Sequence, residues 1–119
     1  MPADIVYLVF HDPINPETAN RLIDFTNKAI VQYAPQTLYF LFSSTGGSVD
    51  SGVALHNYLR GLPQKVIMHN ISSIDSIANA VFLAGQERYA TAASAFLLHG
   101  IYWTFNQGNL LHMYRCRRP

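Results

Sequence analysis

The chain has 119 residues, of which 50% are hydrophobic and only 13% carry a charged Asp, Glu, Lys or Arg side chain. This length suits one domain, and the apolar fraction excludes a disordered chain. The charged fraction is about half of that usual in soluble domains, which predicts a surface that associates with other copies. The net charge is +1, and Arg115, Arg117 and Arg118 supply three of the eight basic residues, so no basic face for nucleic acid is expected.

The cysteine content and the N-terminal residues predict a cellular location. Cys116 is the only cysteine, so no intrachain disulfide can form, which is usual for proteins of a reducing compartment. The first residues show no cationic segment followed by a long apolar run, and the sequence has no run of about 18 apolar residues. We therefore expect a cytoplasmic protein without a membrane anchor.

The first part of the sequence predicts two strands separated by a helix. Residues 5–10 form a continuous apolar run, which favours a strand buried on both faces. Asn15 is expected to cap a helix that has Pro16 in its first turn and ends before Pro35. Residues 37–42 repeat the pattern of a buried strand.

The next elements follow the same alternation. The turn at residues 43–48 leads into a second helix that Gly61 is expected to end. One apolar stripe is predicted on this helix, formed by Val49, Val53, His56 and Leu59. A third strand is predicted at residues 66–69. Ser72 or Ser73 is then expected to cap a third helix, which begins near Ser76 and runs to Gly85.

Two more strands are predicted at residues 88–91 and 95–99. Buried strands that alternate with helices predict an α/β layered fold with a largely parallel sheet. Residues 100–119 fit no element of this pattern. We expect a single domain over residues 1–119 that is incomplete at its C-terminal end.

The Gly46-Gly47 pair marks a first candidate site. In a parallel α/β sheet, ligands bind where strands end and helices begin, and glycine lets the backbone come close and present N–H groups. A plain strand-to-helix turn explains the pair equally well. No Gly-Lys-Ser/Thr follows, and the spaced glycines of a dinucleotide site are absent, so no phosphate loop and no cofactor are expected.

Ser76, at the predicted start of the third helix, marks a second candidate site. The helix dipole favours negative charge there, whereas a capping or packing serine is the plain alternative. The surrounding residues do not form the Gly-x-Ser-x-Gly turn of the α/β-hydrolases. A serine nucleophile needs a base, and the candidates are His69 and His99, which end strands on this side of the sheet. No histidine pair has the spacing of a metal-binding helix, so no metal site is expected.

Three segments in order carry a resemblance. They are Leu-Phe-Ser-Ser-Thr-Gly-Gly-Ser-Val at residues 41–49, a helix-start serine whose helix ends in Leu-Ala-Gly at residues 83–85, and Leu-Leu-His at residues 97–99. This set resembles the proteolytic subunit of the Clp protease, within the ClpP/crotonase fold, over roughly residues 5–99.

The resemblance implies a serine endopeptidase that forms an acyl-enzyme intermediate without a cofactor. It implies Ser76 as the nucleophile, His99 as the general base, and the backbone N–H groups of Gly47 and Ile77 as the oxyanion hole. It also implies a ring of identical subunits to which an ATP-dependent unfoldase delivers unfolded protein or peptide.

The sequence also departs from the pattern of this family. Ala78 stands where the family usually has glycine, Asp75 replaces a small apolar residue, and Thr45 replaces a proline. No Asp or Glu follows Glu87, so the acid of a catalytic triad is unknown. Two alternatives therefore remain open: a non-catalytic scaffold subunit, and a crotonase-type acyl-CoA enzyme that uses the paired glycines on a thioester without a nucleophilic serine.

Overall fold

A computed structural model describes residues 4–98 together with the short backbone segments 103–104 and 110–111. Strands and helices alternate through most of this range, as the sequence predicts. In chain order the elements are β1 (Ile5–His11), α1 (Pro16–Tyr33), β2 (Thr37–Ser44), α2 (Val49–Arg60), β3 (Lys65–Asp75), α3 (Ala78–Phe82), β4 (Glu87–Ala90), β5 (Ala95–Leu97), β6 (Trp103–Thr104) and β7 (Leu110–Leu111).

The main sheet has the order β1-β2-β3-β4, and β5 also pairs with β3. Every pairing in this sheet is parallel. The predicted α/β fold with a largely parallel sheet is therefore confirmed. The separate pair β6 and β7 is antiparallel.

The three helices share one face of the main sheet. When neighbouring strands follow one another in sequence, right-handed crossovers place every connecting helix on the same side. The core lies between this face and the helices. Its largest buried side chains come from strands and helices alike: Phe10, Leu22, Leu38, Phe40, Phe42, Leu55, Leu59, Val66, Met68 and Val81.

The opposite face of the sheet carries no helix in the described part of the chain, and this corrects the prediction for the first strand. Tyr7 and Val9 of β1 are 62% and 59% exposed, so this edge strand is buried on one face only. A continuous apolar run cannot distinguish a strand covered on both faces from an edge strand whose outer face is also apolar. We call this surface the outer face, formed by Tyr7, Val9, Tyr39, His69 and Tyr89.

The start and end of α1 match the sequence prediction. The Asn15 side chain accepts a hydrogen bond from the Thr18 backbone N–H at 2.8 Å, and the Thr18 hydroxyl accepts one from the Asn15 N–H at 3.0 Å. This reciprocal capping box satisfies two backbone groups at the helix start. Ala34, in the left-handed conformation, ends the helix directly before Pro35.

The buried stripe of α2 differs from the prediction. Val49 and Val53 are 60% and 45% exposed, whereas the buried positions are Ser51, Gly52, Leu55 and Leu59. The reason is that Ile77, directly before α3, packs closely against α2. A Cβ built on Gly52 would lie 2.5 Å from the Ile77 side chain. The small residues Ser51 and Gly52 are therefore buried together with the two leucines, and hydropathy alone does not reveal the small ones.

The third strand is longer than predicted, and the third helix is shorter. β3 continues to Asp75 because its first part pairs with β4 and its second part with β5. Ser72 and Ser73 therefore lie within the strand, and the prediction that one of them caps a helix is wrong. α3 begins only at Ala78 and has no side-chain cap.

The last predicted strand is observed as Ala95–Leu97, so its predicted final residue, His99, lies outside the described residues. The same is true of Cys116 and of most of the predicted atypical tail at residues 100–119. Among the described residues, none of the helices combines the length and hydrophobicity that a membrane crossing requires.

Candidate active site

Ser76 occupies the sharp turn between β3 and α3. Its φ angle is +56°, in the left-handed region that residues other than glycine rarely adopt. For an L-residue this conformation costs about 1–2 kcal/mol, and such strain is concentrated at functional sites. A sharp strand-to-helix turn of this kind presents a serine side chain at its tip. Ser76 therefore does not have the extended backbone conformation of a helix cap.

The backbone of this turn is held from two directions. The Ser76 N–H donates to the Leu97 carbonyl oxygen at 2.9 Å, which ties the turn to the end of β5. The Ser76 carbonyl oxygen accepts from the Asn79 backbone N–H at 3.0 Å, which begins the helical turn. The strained conformation is thus fixed by hydrogen bonds to two neighbouring elements.

The Gly46-Gly47 turn lies directly against the Ser76 turn. A Cβ built on Gly46 would lie 2.7 Å from the Asp75 carbonyl oxygen and 3.0 Å from the Ser76 Cβ. One built on Gly47 would lie 2.2 Å from the Ile14 carbonyl oxygen, and both glycines have positive φ, +86° and +142°. The two candidate sites of the sequence are therefore one site, and glycine is required there for conformation and for space.

Hydrogen bonds to Ile14 fix the position of the glycine turn. The Ile14 N–H donates to the Gly46 carbonyl oxygen, and the Ser48 N–H donates to the Ile14 carbonyl oxygen, both at 2.8 Å. Neither the Gly47 N–H nor the Ile77 N–H donates to an acceptor in the described part of the chain. Such backbone donors can bind the oxygen of a ligand, as in an oxyanion hole.

His69 is excluded as the base for Ser76. The His69 ring is hydrogen-bonded on the outer face, its Nδ1 to the Tyr39 hydroxyl at 2.7 Å and its Nε2 to the Thr91 hydroxyl at 3.2 Å. At about 3.3 Å per residue of strand, roughly 20 Å of β3 separates it from the Ser76 turn. His99, the other candidate base, lies outside the described residues, two positions beyond Leu97.

The remaining titratable groups near the site do not form a metal centre. The Asp75 carboxylate accepts a hydrogen bond from the Ser73 hydroxyl. The His56 Nδ1 is hydrogen-bonded to the Ala80 carbonyl oxygen at 2.7 Å, between α2 and α3. Within residues 4–98, no three His, Cys, Asp or Glu side chains are placed to hold a metal ion.

Asn79 is a residue of this site that the sequence analysis did not identify. Its side-chain amide contacts three carbonyl oxygens around the Ser76 turn. The available signal was a single polar residue within an otherwise apolar stretch at residues 77–84. Isolated polar residues of this kind usually have a hydrogen-bond partner when they are not exposed.

The strain at Ser76 gives a stability test that is independent of activity. We expect Ser76→Gly to be more stable than Ser76→Ala by about 1 kcal/mol, because both variants lack the hydroxyl and only glycine relieves the positive φ. Chemical denaturation measures the difference. At Ser72, within β3, the order should reverse, with glycine less stable than alanine. Equal stability of the two Ser76 variants would contradict the strained turn.

Comparison with solved structures identifies the class of fold. The chain is similar to ClpP1 from Listeria monocytogenes (TM-score 0.63, 19% identity, 78% of this chain and 55% of that one) and to the ClpP catalytic domain from Plasmodium falciparum (0.70, 18%, 80% and 54%). It is also similar to a mutant of the 1510-N membrane-bound stomatin-specific protease (0.76, 10%, 93% and 55%). The fold is thus ClpP-like, and this chain spans about half the length of these structures.

The family follows from the sequence. The sequence profile of the Clp protease family matches residues 4–108, and the chain belongs to this family. No curated protein matches the chain.

Proposed function

We propose that this chain is a serine peptidase subunit of the Clp protease type, which hydrolyses peptide bonds through an acyl-enzyme intermediate. The observation that carries the proposal is the contact between the paired-glycine turn and the strained Ser76 turn. In this contact a Cβ built on Gly46 would lie 3.0 Å from the Ser76 Cβ and 3.4 Å from the Ile77 backbone nitrogen. The N–H groups of Gly47 and Ile77 make no hydrogen bond in the described part of the chain, which supports their proposed role. Family membership adds to the proposal independently of this geometry.

In the proposed mechanism, Ser76 Oγ attacks the carbonyl carbon of the scissile bond while its proton passes to His99. The carbonyl oxygen gains negative charge, which the N–H groups of Gly47 and Ile77 stabilise. One such donor contributes about 3 kcal/mol to transition-state stabilisation in known enzymes. His99 then gives the proton to the leaving amine, and water hydrolyses the ester on Ser76 with the same base.

The hydrogen bond between Ser76 and Leu97 supports the choice of His99. The Leu97 carbonyl oxygen is 2.9 Å from the Ser76 backbone nitrogen. His99 is two positions after Leu97 in the sequence, and two residues of extended chain span at most about 7 Å. His69 has no comparable link to Ser76, because its ring is bonded to Tyr39 and Thr91 on the outer face.

We also propose that the subunits assemble into a ring, that an ATP-dependent unfoldase supplies unfolded protein, and that the protein is cytoplasmic. The outer face supports assembly, since its exposed apolar side chains favour contact with another protein surface. The low charged fraction, 13%, favours the same conclusion. The sequence has a single cysteine, which supports a location in a reducing compartment such as the cytoplasm.

Substrate class tests the proposal against the acyl-CoA alternative. The chain is incubated separately with a set of fluorogenic peptides and with a short acyl-CoA, and products are identified by mass spectrometry. We expect cleavage of peptide bonds and no release of free CoA. Hydrolysis of the thioester without cleavage of any peptide would contradict a peptidase and support a crotonase-type enzyme.

A further inference from the structure

The side chain of Asn79, in the first turn of α3, reaches back to the ends of two strands. Its Nδ2 lies 3.0 Å from the Ser76 carbonyl oxygen, 3.2 Å from the Leu97 carbonyl oxygen and 3.3 Å from the Ile74 carbonyl oxygen. An amide NH₂ group has two hydrogens, so these three acceptors share two donors. One side chain therefore connects the end of β3, the Ser76 turn and the end of β5.

The Leu97 carbonyl oxygen is the point where these bonds meet. It accepts from the Ser76 backbone N–H at 2.9 Å and from Asn79 Nδ2 at 3.2 Å. β5 is only three residues long, Ala95–Leu97, and pairs with β3 over that length alone. Because so short a strand has few ladder hydrogen bonds, a side-chain bond at its last residue has a large share in fixing its end.

We propose that Asn79 is a positioning residue for the proposed reaction, which fixes the Leu97 end of β5 against the Ser76 turn and so holds the proposed nucleophile in place for the reaction. This inference rests on the proposed function. Asn79 acts through the backbone: it holds two carbonyl oxygens, at residues 76 and 97, on a single amide group. A misplacement of about 1 Å between reacting groups lowers a rate by about 10²-fold.

The test measures covalent labelling by a fluorophosphonate, whose phosphorus is attacked by a serine oxygen with loss of fluoride. The labelling rate at saturation and the concentration for half-saturation are measured separately, from pH 5 to pH 9, for the wild type and for Asn79→Ala. In Asn79→Ala we expect the saturating rate of labelling at Ser76 to fall at least tenfold and the half-saturating concentration to change less than threefold. The pH at which the labelling rate is half its maximum, the pH midpoint, should also shift.

Two control variants separate positioning from general loss of stability. Val81→Ala shortens a fully buried side chain of the same helix that makes no hydrogen bond to the three carbonyl oxygens. Asn57→Ala removes an exposed asparagine of α2. Both should label with the rate and the pH midpoint of the wild type when assayed under conditions in which they are folded.

The outcomes distinguish this inference from the proposed function. If Asn79→Ala labels within twofold of the wild-type rate with the same pH midpoint, or if Val81→Ala loses as much rate as Asn79→Ala, the positioning role is contradicted while the serine peptidase stands. If the wild type itself takes no label at Ser76, the proposed function fails, and the positioning role fails with it.

Discussion

Ser76→Ala is expected to lower the rate of peptide hydrolysis by at least about 10⁴-fold, to the level of the uncatalysed reaction plus binding effects. The variant lacks the oxygen that forms the acyl-enzyme. Neither His99 nor the backbone N–H groups of the proposed oxyanion hole can replace this oxygen. The measurement is initial hydrolysis of the best fluorogenic peptide by the wild type and the variant at equal concentration.

Ser72 provides a matched control for the Ser76→Ala substitution. Ser72 lies in β3 a few residues before Ser76, and its side chain is exposed. Ser72→Ala should hydrolyse the peptide at the wild-type rate. Comparable activity of Ser76→Ala and the wild type, with both shown to be folded, would remove Ser76 from the mechanism.

Gly47→Ala is expected to lower the free energy of unfolding by about 3 kcal/mol or more, a large effect for a single exposed position. Two causes add together. The φ angle of +142° is one that an L-residue rarely adopts, and the new Cβ would lie 2.2 Å from the Ile14 carbonyl oxygen, a backbone atom that cannot rotate away. Chemical denaturation of the wild type and the variant measures the loss.

Gly61 provides the matched control for this substitution. It ends α2 with a φ of −84°, and a Cβ there would meet its nearest atom, the Asn57 carbonyl oxygen, at 3.3 Å. Gly61→Ala should therefore change the free energy of unfolding by less than about 1 kcal/mol. A Gly47→Ala variant as stable as Gly61→Ala would mean that the glycine turn does not lie against Ile14 as described.

The sequence was sufficient to predict the sheet and the first helix. α1 begins with an asparagine cap and ends before a proline, and these local signals do not depend on the rest of the fold. The parallel sheet followed from the alternation of elements, because parallel neighbours need long crossovers. Local chemistry and connectivity thus determine these features.

Features that depend on tertiary contacts were not predicted correctly. The buried stripe of α2 includes the small residues Ser51 and Gly52, because Ile77 packs on Gly52. β3 continues past its apolar start because two short strands pair with it in succession. The exposed side of β1 follows from the placement of all helices on the other face. None of these contacts joins residues that are neighbours in the sequence.

The residues of the candidate site stay predictions, and the sequence did not indicate their geometry. Gly47, Ser76 and Ile77 came from the family resemblance, and the structure brings the glycine turn and the serine turn into contact. The positive φ of Ser76 and the three contacts of Asn79 have no sequence signal comparable to a motif. His99 stays a prediction, supported by the link between Leu97 and Ser76.

The most direct test of the central claim is the intact mass of the folded chain after reaction with a fluorophosphonate, followed by peptide mapping of the adduct. The account predicts one adduct per chain, located on Ser76 and absent in Ser76→Ala, while Ser72→Ala is labelled like the wild type. No adduct on a chain shown to be folded, or an adduct at another serine that persists in Ser76→Ala, would contradict it.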